Sequence, residues 1–226
     1  DASAARRERI AVIGGSEETV AQMVNRAKAV NSERVVLVGP NIASDDGGTM
    51  SAVFAAAAVA AVIAGNTDPS VPINGAELTL FGAAGKRLSD KGIDQLVRGG
   101  VTPIGTVGGV SSPVRGITTK TSSGGAADTT WRELTTILIV DEVIPTIRSA
   151  LRTRFARSKN TAQSRGAIRS QVVLELEEMK SHEIVDSYGE VLVSALKSDP
   201  TVCLVEFSFT VAHGLNRIYL TAHITV

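Results

Sequence analysis

Seven basic residues, Arg148, Arg152, Arg154, Arg157, Lys159, Arg165 and Arg169, follow one another with no Asp or Glu between Val143 and Leu174. An acid-rich segment comes next: Glu175, Glu177, Glu178, Glu183, Asp186 and Glu190, with only Lys180 among them. A basic run by itself is compatible with a solvated helix face. Here it stands against a neutral background, 23 Lys plus Arg against 23 Asp plus Glu in 226 residues. That balance argues against a nucleic-acid binder, whose affinity rests on a basic footprint. Separated basic and acidic segments in a neutral chain suit docking onto charged protein surfaces, other copies of the chain included.

The residues that could do covalent or cofactor chemistry are few. Ser51 opens an Ala-rich stretch, but a serine nucleophile needs a His base, and His182, His213 and His223 all follow it. His213 falls in a turn and His223 on the polar face of a strand, the places of ordinary surface or interface histidines. No His and Cys cluster has metal-ligand spacing, and Asp45-Asp46 reads as turn chemistry. Gly14-Gly15 lacks the G-x-G-x-x-G pattern, and no acidic residue ends the Val35–Val38 run to hold a ribose. Gly82-Ala83-Ala84-Gly85-Lys86 lacks the spacing and hydroxyl residue of a P-loop. No catalytic, cofactor or metal residue is therefore assigned. Cys203, the only cysteine, excludes a disulfide framework within one chain, points to a reducing compartment and reads as a buried inert thiol. The apolar stretch Ala52–Ala64 is too short to span a bilayer, and no signal peptide is visible. The chain begins with Asp1, so the true N-terminus stays open.

The elements that must position the charged segments can be read from periodicity. Thr130 and Glu133 have capping-box spacing. Ile137, Val140, Ile144, Ile147, Leu151 and Phe155 draw an apolar stripe down a long helix, with Pro145 as a kink rather than an end. Arg148 and Arg152 then lie to one side of the stripe, Arg154 and Arg157 to the other. A second helix carries Ile168, Val172, Leu176 and Met179. Before these, residues 10–39 read as a βαβ unit: apolar runs Ile10–Ile13 and Val35–Val38 flank a helix capped by Ser16 with Val20, Met23, Val24 and Ala27 on one face. Such a unit implies parallel strands. An Ala-rich helix from Thr49 to Ala64, apolar nearly all round, is expected to be buried. A strand at Glu77–Phe81, a helix from Ser89 to Val97 and a strand at Val114–Thr119 follow. The Gly-rich Ser122–Asp128 is the expected domain boundary. At the end, Cys203, Val205, Phe207, Phe209 and Val211 alternate with polar residues, as do Ile218, Leu220, Ala222, Ile224 and Val226: two half-buried strands about a turn at His213–Asn216. A strand running to the last residue needs a partner along its edge.

Two resemblances add to this reading. Gly48-Thr49-Met50-Ser51-Ala52 resembles the Gly-Thr-Ser-Met-Ala start of the subtilisin nucleophile helix, with the Ser displaced by one position, about 100° around a helix. Subtilisins also place their His before the Ser, so the likeness concerns fold rather than catalysis. More extensive are Thr130-Trp131-Arg132-Glu133-Leu134, Arg157-Ser158-Lys159-Asn160-Thr161-Ala162-Gln163, Arg165-Gly166-Ala167-Ile168, Val205-Glu206-Phe207-Ser208-Phe209 and Tyr219-Leu220-Thr221-Ala222-His223-Ile224-Thr225-Val226. In this order they resemble contractile phage tail sheath proteins; Val101–Lys120 and Val36-Gly39-Pro40-Asn41 are also similar. The likeness covers residues 30–226, strongest after Thr118.

The resemblance implies a structural subunit, not an enzyme. It implies an α/β, subtilisin-like middle domain (1–121) and an α+β C-terminal domain of helices and antiparallel strands (122–226), ending in a linking strand at 217–226. Hexameric rings would stack into a helical sleeve around a tail tube, joined by terminal arms that add strands to neighbouring sheets, and would shorten on triggering. Its partners would be other copies, the tube protein, and baseplate and terminator proteins, with no nucleic acid, membrane contact or cofactor. It would belong to a phage tail or phage-tail-like particle assembled in the bacterial cytoplasm. Arg148, Arg152, Arg154, Arg157, Lys159, Arg165 and Arg169 are the tube-facing candidates. Ile218, Tyr219, Leu220, Thr221, Ala222, His223, Ile224, Thr225 and Val226 are the inter-subunit strand candidates. Members carry more chain ahead of this point, and residues 1–9 are short and polar for their N-terminal arm. The alternative class is an α/β nucleotide- or substrate-binding enzyme domain.

Overall fold

A computed structural model describes residues 7–15, 18–41, 50–78, 88–107 and 110–216. The chain forms two compact units. One takes the described residues within Asp1–Thr67, Val71–Ile137 and Gly214–Val226; the other takes Asp68–Ser70 and Leu138–His213.

The first unit is built on the βαβ pattern. Strand β1 (Ala11–Gly14), helix α1 (Val20–Val30) and strand β2 (Val35–Gly39) follow in order, with β1 and β2 parallel in the register Ala11 to Val35. Thr19, rather than Ser16, caps α1: its hydroxyl accepts from Gln22 N–H and its own N–H donates to Gln22 Oε1. Ser16 lies outside the described residues. Met23 and Ala27 are buried with Leu37, Leu96 and Val101, and Val20 and Val24 pack against them, as the spacing predicts. Helix α2 (Ala52–Gly65) packs on β1 and β2, and helix α3 (Asp90–Arg98) is capped by Ser89. Strand β3 (Val101–Val107) adds parallel to β2, and β4 (Val110–Pro113) pairs antiparallel with β3. The sheet order is β1-β2-β3-β4.

Several expectations fail in this unit for definite reasons. Val114–Thr119 is not a ladder strand. Its N–H groups go to separate partners: Ile117 to Thr102 Oγ1 (2.9 Å), Thr118 to Arg132 O (2.8 Å) and Thr119 to Val35 O (2.8 Å). β3, with Pro103 inside it, takes the place in the sheet instead. Helix α2 is not buried all round: Ala55, Ala56 and Val59 are covered, whereas Val53 and Phe54 are 70% and 53% exposed. Small alanines need only one covered face, so apolarity on every side does not imply burial on every side. Of the Glu77–Phe81 strand only Glu77 and Leu78 are described, and they are not in a strand, although Leu78 N–H donates to Ser111 O.

The Gly-rich segment forms a small hairpin, β5 (Ser122–Ser123) with β6 (Ala126–Ala127). Asn31 ties it to the first unit. Its Oδ1 accepts from Thr121 and Ser122 N–H, and its Nδ2 donates to Ser122 O. The chain passes from the first compact unit to the second after Ile137.

Helix α4 (Leu134–Phe155) carries the chain into the second unit and runs through Pro145 without ending there. Its capping box is not formed. Thr130 turns on Asp128, donating to Oδ1 from both N–H and hydroxyl, and these bonds hold the Asp128 carboxyl below its ordinary pKa. Glu133 instead holds Arg115 by two bonds, 2.6 and 3.2 Å. The helix then starts one residue later, with Leu134 N–H donating to Gly116 O.

In the second unit, helix α5 (Ala162–Ser181), capped by Thr161, lies beside α4, followed by strands β7 (Val185–Tyr188), β8 (Leu192–Leu196), β9 (Asp199–Glu206) and β10 (Phe209–Val211). The core comprises Ile139, Val143, Ile147, Val172, Leu176, Met179, Val185 and Val191. The covered line of α4 is thus Ile139, Val143, Ile147 and half-buried Leu151, at strict i, i+4 spacing. Val140 and Ile144, expected in the stripe, are only half-buried. The Cys203–Val211 alternation is present, with Val205, Phe207, Phe209 and Val211 packed on the core. The stretch is nonetheless two strands: β9 pairs with β8, and β10 pairs with β7.

Candidate assembly surfaces

The basic run does not form one free surface. Helix α4 ends at Phe155, so Arg157 and Lys159 sit in the connection to α5 rather than on a helix face. Arg154 donates to Gln171, whose Nε2 donates in turn to Glu175 (2.6 Å). Arg165 reaches back to Asn160 Oδ1 (3.0 Å). Arg169 donates through Nε to Val191 O (2.9 Å) and lies 3.9 Å from Glu190. Arg148 is half-buried and also engaged. What remains exposed without an ion pair or hydrogen bond among the described residues is Arg152, Arg157 and Lys159. The sequence placed all seven residues in one class. It missed Asn160, whose Nδ2 donates to Pro200 O (2.8 Å) and Val202 O (3.3 Å) and so pins the basic connection to β9. Asn160 lies inside the 157–163 motif, which is the one signal that could have drawn attention to it.

The acidic segment is divided in the same way. Glu175 and Glu190 meet Gln171 and Arg169, and Glu177 accepts from the Tyr188 hydroxyl, a bond that raises the Tyr188 pKa above its usual 10 by favouring the neutral phenol. Glu178, Glu183 and Asp186 are exposed with no partner among the described residues.

The β8–β9 hairpin supplies a different kind of surface. Val193 and Val205 face the core, so alternation turns Leu192, Leu196, Val202 and Leu204 outward, where they are exposed. Among the described residues each strand has a ladder partner on one side only. At the tip, Asp199 accepts from the N–H and hydroxyl of Thr201, which lowers its pKa. The nine candidates Ile218–Val226 lie outside the described residues.

Ser51 is the N-cap of α2. Its Oγ accepts from Val53 N–H at 3.5 Å, and no histidine partners it among the described residues. Those residues contain no group of three or more His, Cys, Asp and Glu able to hold a metal, and no helix long and apolar enough to cross a membrane.

Comparison with known proteins adds to this geometry. The family model of the phage tail sheath C-terminal domain matches residues 126–225. A tail sheath protein of Bacillus phage SP01 is 28% identical over 223 residues, covering 96% of this chain and 38% of its own length. The chain thus spans well under half the length of that curated relative. Among solved structures, the sheath tail protein of Desulfitobacterium hafniense aligns over 81% of this chain and 47% of its own, with TM-score 0.65 and 15% identity. The helical sheath of the anti-feeding prophage in its contracted state aligns over 85% of this chain and 56% of its own, with TM-score 0.61 and 15% identity. At such identities the structural likeness is one of fold.

Proposed function

We propose that the chain is a member of the contractile tail sheath family, a structural subunit that polymerises with other copies into a helical sleeve around a tail tube. The observation that carries this is the family match over residues 126–225, which takes in most of the second unit. In this reading the sleeve shortens to drive the tube onward, and the subunit performs no catalysis. Its neighbours are copies of itself, the tube protein, and baseplate and terminator proteins. The particle is a phage tail or a phage-tail-like device, assembled in the bacterial cytoplasm.

Two surfaces have assigned roles in the proposal. Arg152, Arg157 and Lys159 face the tube; their exposure supports this, because exposed ion pairs contribute roughly 0–1 kcal/mol each and a grip made of them can be released. Residues 217–226 form a linking strand that adds to the sheet of a neighbouring copy. The open edges of the β8–β9 hairpin support this, since strand addition derives its affinity from main-chain hydrogen bonds. Head-to-tail contacts that do not close into a ring give helical polymers. Electron microscopy of the full chain, alone and with tail tubes, tests the proposal: rings or tubes are expected, and a monodisperse protein under all assembly conditions would refute it. Deleting Leu220–Val226 should leave a soluble, cooperatively folded monomer that no longer polymerises. An insoluble truncation without a cooperative thermal transition would refute the linking role.

A further inference from the structure

The Thr130–Leu134 motif leaves Arg132 beside a cavity of about 390 Å³ in the first unit, lined by Ile93, Asp94, Val97, Arg98, Val114, Arg115, Arg132 and Asn216. We infer that this cavity is a carboxylate socket, filled in the assembled protein by an acidic side chain of a second copy of this chain. The inference rests on the self-assembly proposed above.

Charge is the first ground. Three guanidiniums meet two carboxylates. Arg98 is neutralised by Asp94 on its own helix (2.8 Å). Arg115 takes both oxygens of Glu133, at 2.6 and 3.2 Å. Arg132 is left with its Nε 3.6 Å from an oxygen already committed to Arg115, beyond hydrogen-bonding distance. That Nε is buried without a hydrogen-bond partner. No carboxylate oxygen can reach that closed atom, but the side chain is 27% exposed and the two Nη groups of the same guanidinium carry no hydrogen bond among the described residues, so a carboxylate is the group that best satisfies them. Asn216 adds a neutral donor at the rim: its Oδ1 accepts from Asn74 (2.7 Å), and its amide NH₂ has no hydrogen bond among the described residues. The volume accommodates an Asp or Glu side chain with accompanying water.

The choice of occupant follows from what the chain itself offers. Glu178, Glu183 and Asp186 are exposed and unpartnered among the described residues, so a second copy can supply the missing charge. A partly buried, preformed guanidinium discriminates better than the water-exposed Arg152, Arg157 and Lys159, where solvent competes for each contact.

Two measurements test the socket. In the monomeric chain, acetate titrated against chloride is followed at the Arg132 Nε–H resonance. A saturable shift exceeding that of Arg152 and Arg157 is expected, and no such excess would overturn the socket. In the second, the critical concentration for polymer formation is compared between the wild type and Arg132→Gln, with Trp131 fluorescence confirming that the variant is folded. Losing one charge-assisted bond should raise that concentration about ten- to a hundredfold. Replacing Glu178, Glu183 and Asp186 by their amides should do the same, with no further loss when combined with Arg132→Gln. An acetate shift together with unchanged assembly of Arg132→Gln, or strictly additive losses, would overturn the second copy as occupant. A wild type that never polymerises would instead remove the sheath proposal and the assigned occupant with it, whatever acetate does.

Discussion

Replacing Glu133 by Gln distinguishes two accounts of how α4 begins. If Glu133 were the third residue of a capping box, Gln would serve almost as well, because both reach back to the cap N–H. In the structure it instead receives Arg115 at 2.6 and 3.2 Å, with Arg132 at 3.6 Å. The Arg115 and Glu133 side chains are 24% and 21% exposed. Breaking a fully buried pair costs about 3–5 kcal/mol, whereas an exposed pair contributes about 0–1. Weighted for the solvent that reaches both partners, the expected loss is about 2–3 kcal/mol. In a chain of this size each kcal/mol shifts Tm by about 2–4 °C, so the expected fall is about 4–12 °C. The assay is thermal and urea unfolding followed by the fluorescence of Trp131, the only tryptophan, two residues away and in the same unit. A double-mutant cycle with Arg115→Gln should return a coupling of about 1–3 kcal/mol. A Tm change below about 1 °C, or additive losses, would refute the ion-pair account and restore the cap.

Reversing Arg152, Arg157 and Lys159 together to Glu should reduce assembly on tubes while leaving the thermal transition in place; normal assembly of that variant at raised salt would refute their tube-facing role. Ser51→Ala should cost no more than about 1 kcal/mol, a weak cap given the 3.5 Å contact, and a serine-reactive active-site probe should not label the protein. In a Tyr219→Phe background, phenolate absorbance should place the Tyr188 titration above 10, and Glu177→Gln should bring it back down. Because the folded-state pKa is raised, the stabilisation this bond contributes is present below pH 10 and is lost as pH rises through the folded value. A Tyr188 midpoint that does not respond to Glu177→Gln would refute the bond.

Legibility followed the range of the interactions. Met23 and Ala27, or Val172, Leu176 and Met179, were read correctly because a helix face is fixed by residues three and four apart. The Val205–Val211 alternation was equally local. Where the chain's partners are remote, the reading went astray. Nothing in Val114–Thr119 states that Thr102, Arg132 and Val35 will each take one of its N–H groups. Likewise nothing in Ser122–Asp128 states that Asn31, some ninety residues earlier, holds it within the first unit.

The charged segments carry the same limit into function. Net charge and run length are additive over sequence, so seven basic residues counted as one surface. Availability to a partner depends instead on what the fold has already placed within about 3 Å of each group. Gln171 engages Arg154, Asn160 engages Arg165, and the Val191 carbonyl engages Arg169. Three of the seven are thereby committed to holding the second unit together. A guanidinium bonded inside its own unit must exchange one partner for another on docking, so its net contribution to an interface is small. Arg152, Arg157 and Lys159 exchange only water. The opposite case is Arg132, which lies outside the charge run because Glu133, Asp141 and Glu142 separate it from Arg148. Glu133 belongs to Arg115, and in the proposed socket the partly buried Arg132 guanidinium, 27% exposed, is the more selective anion receptor because less solvent competes for it.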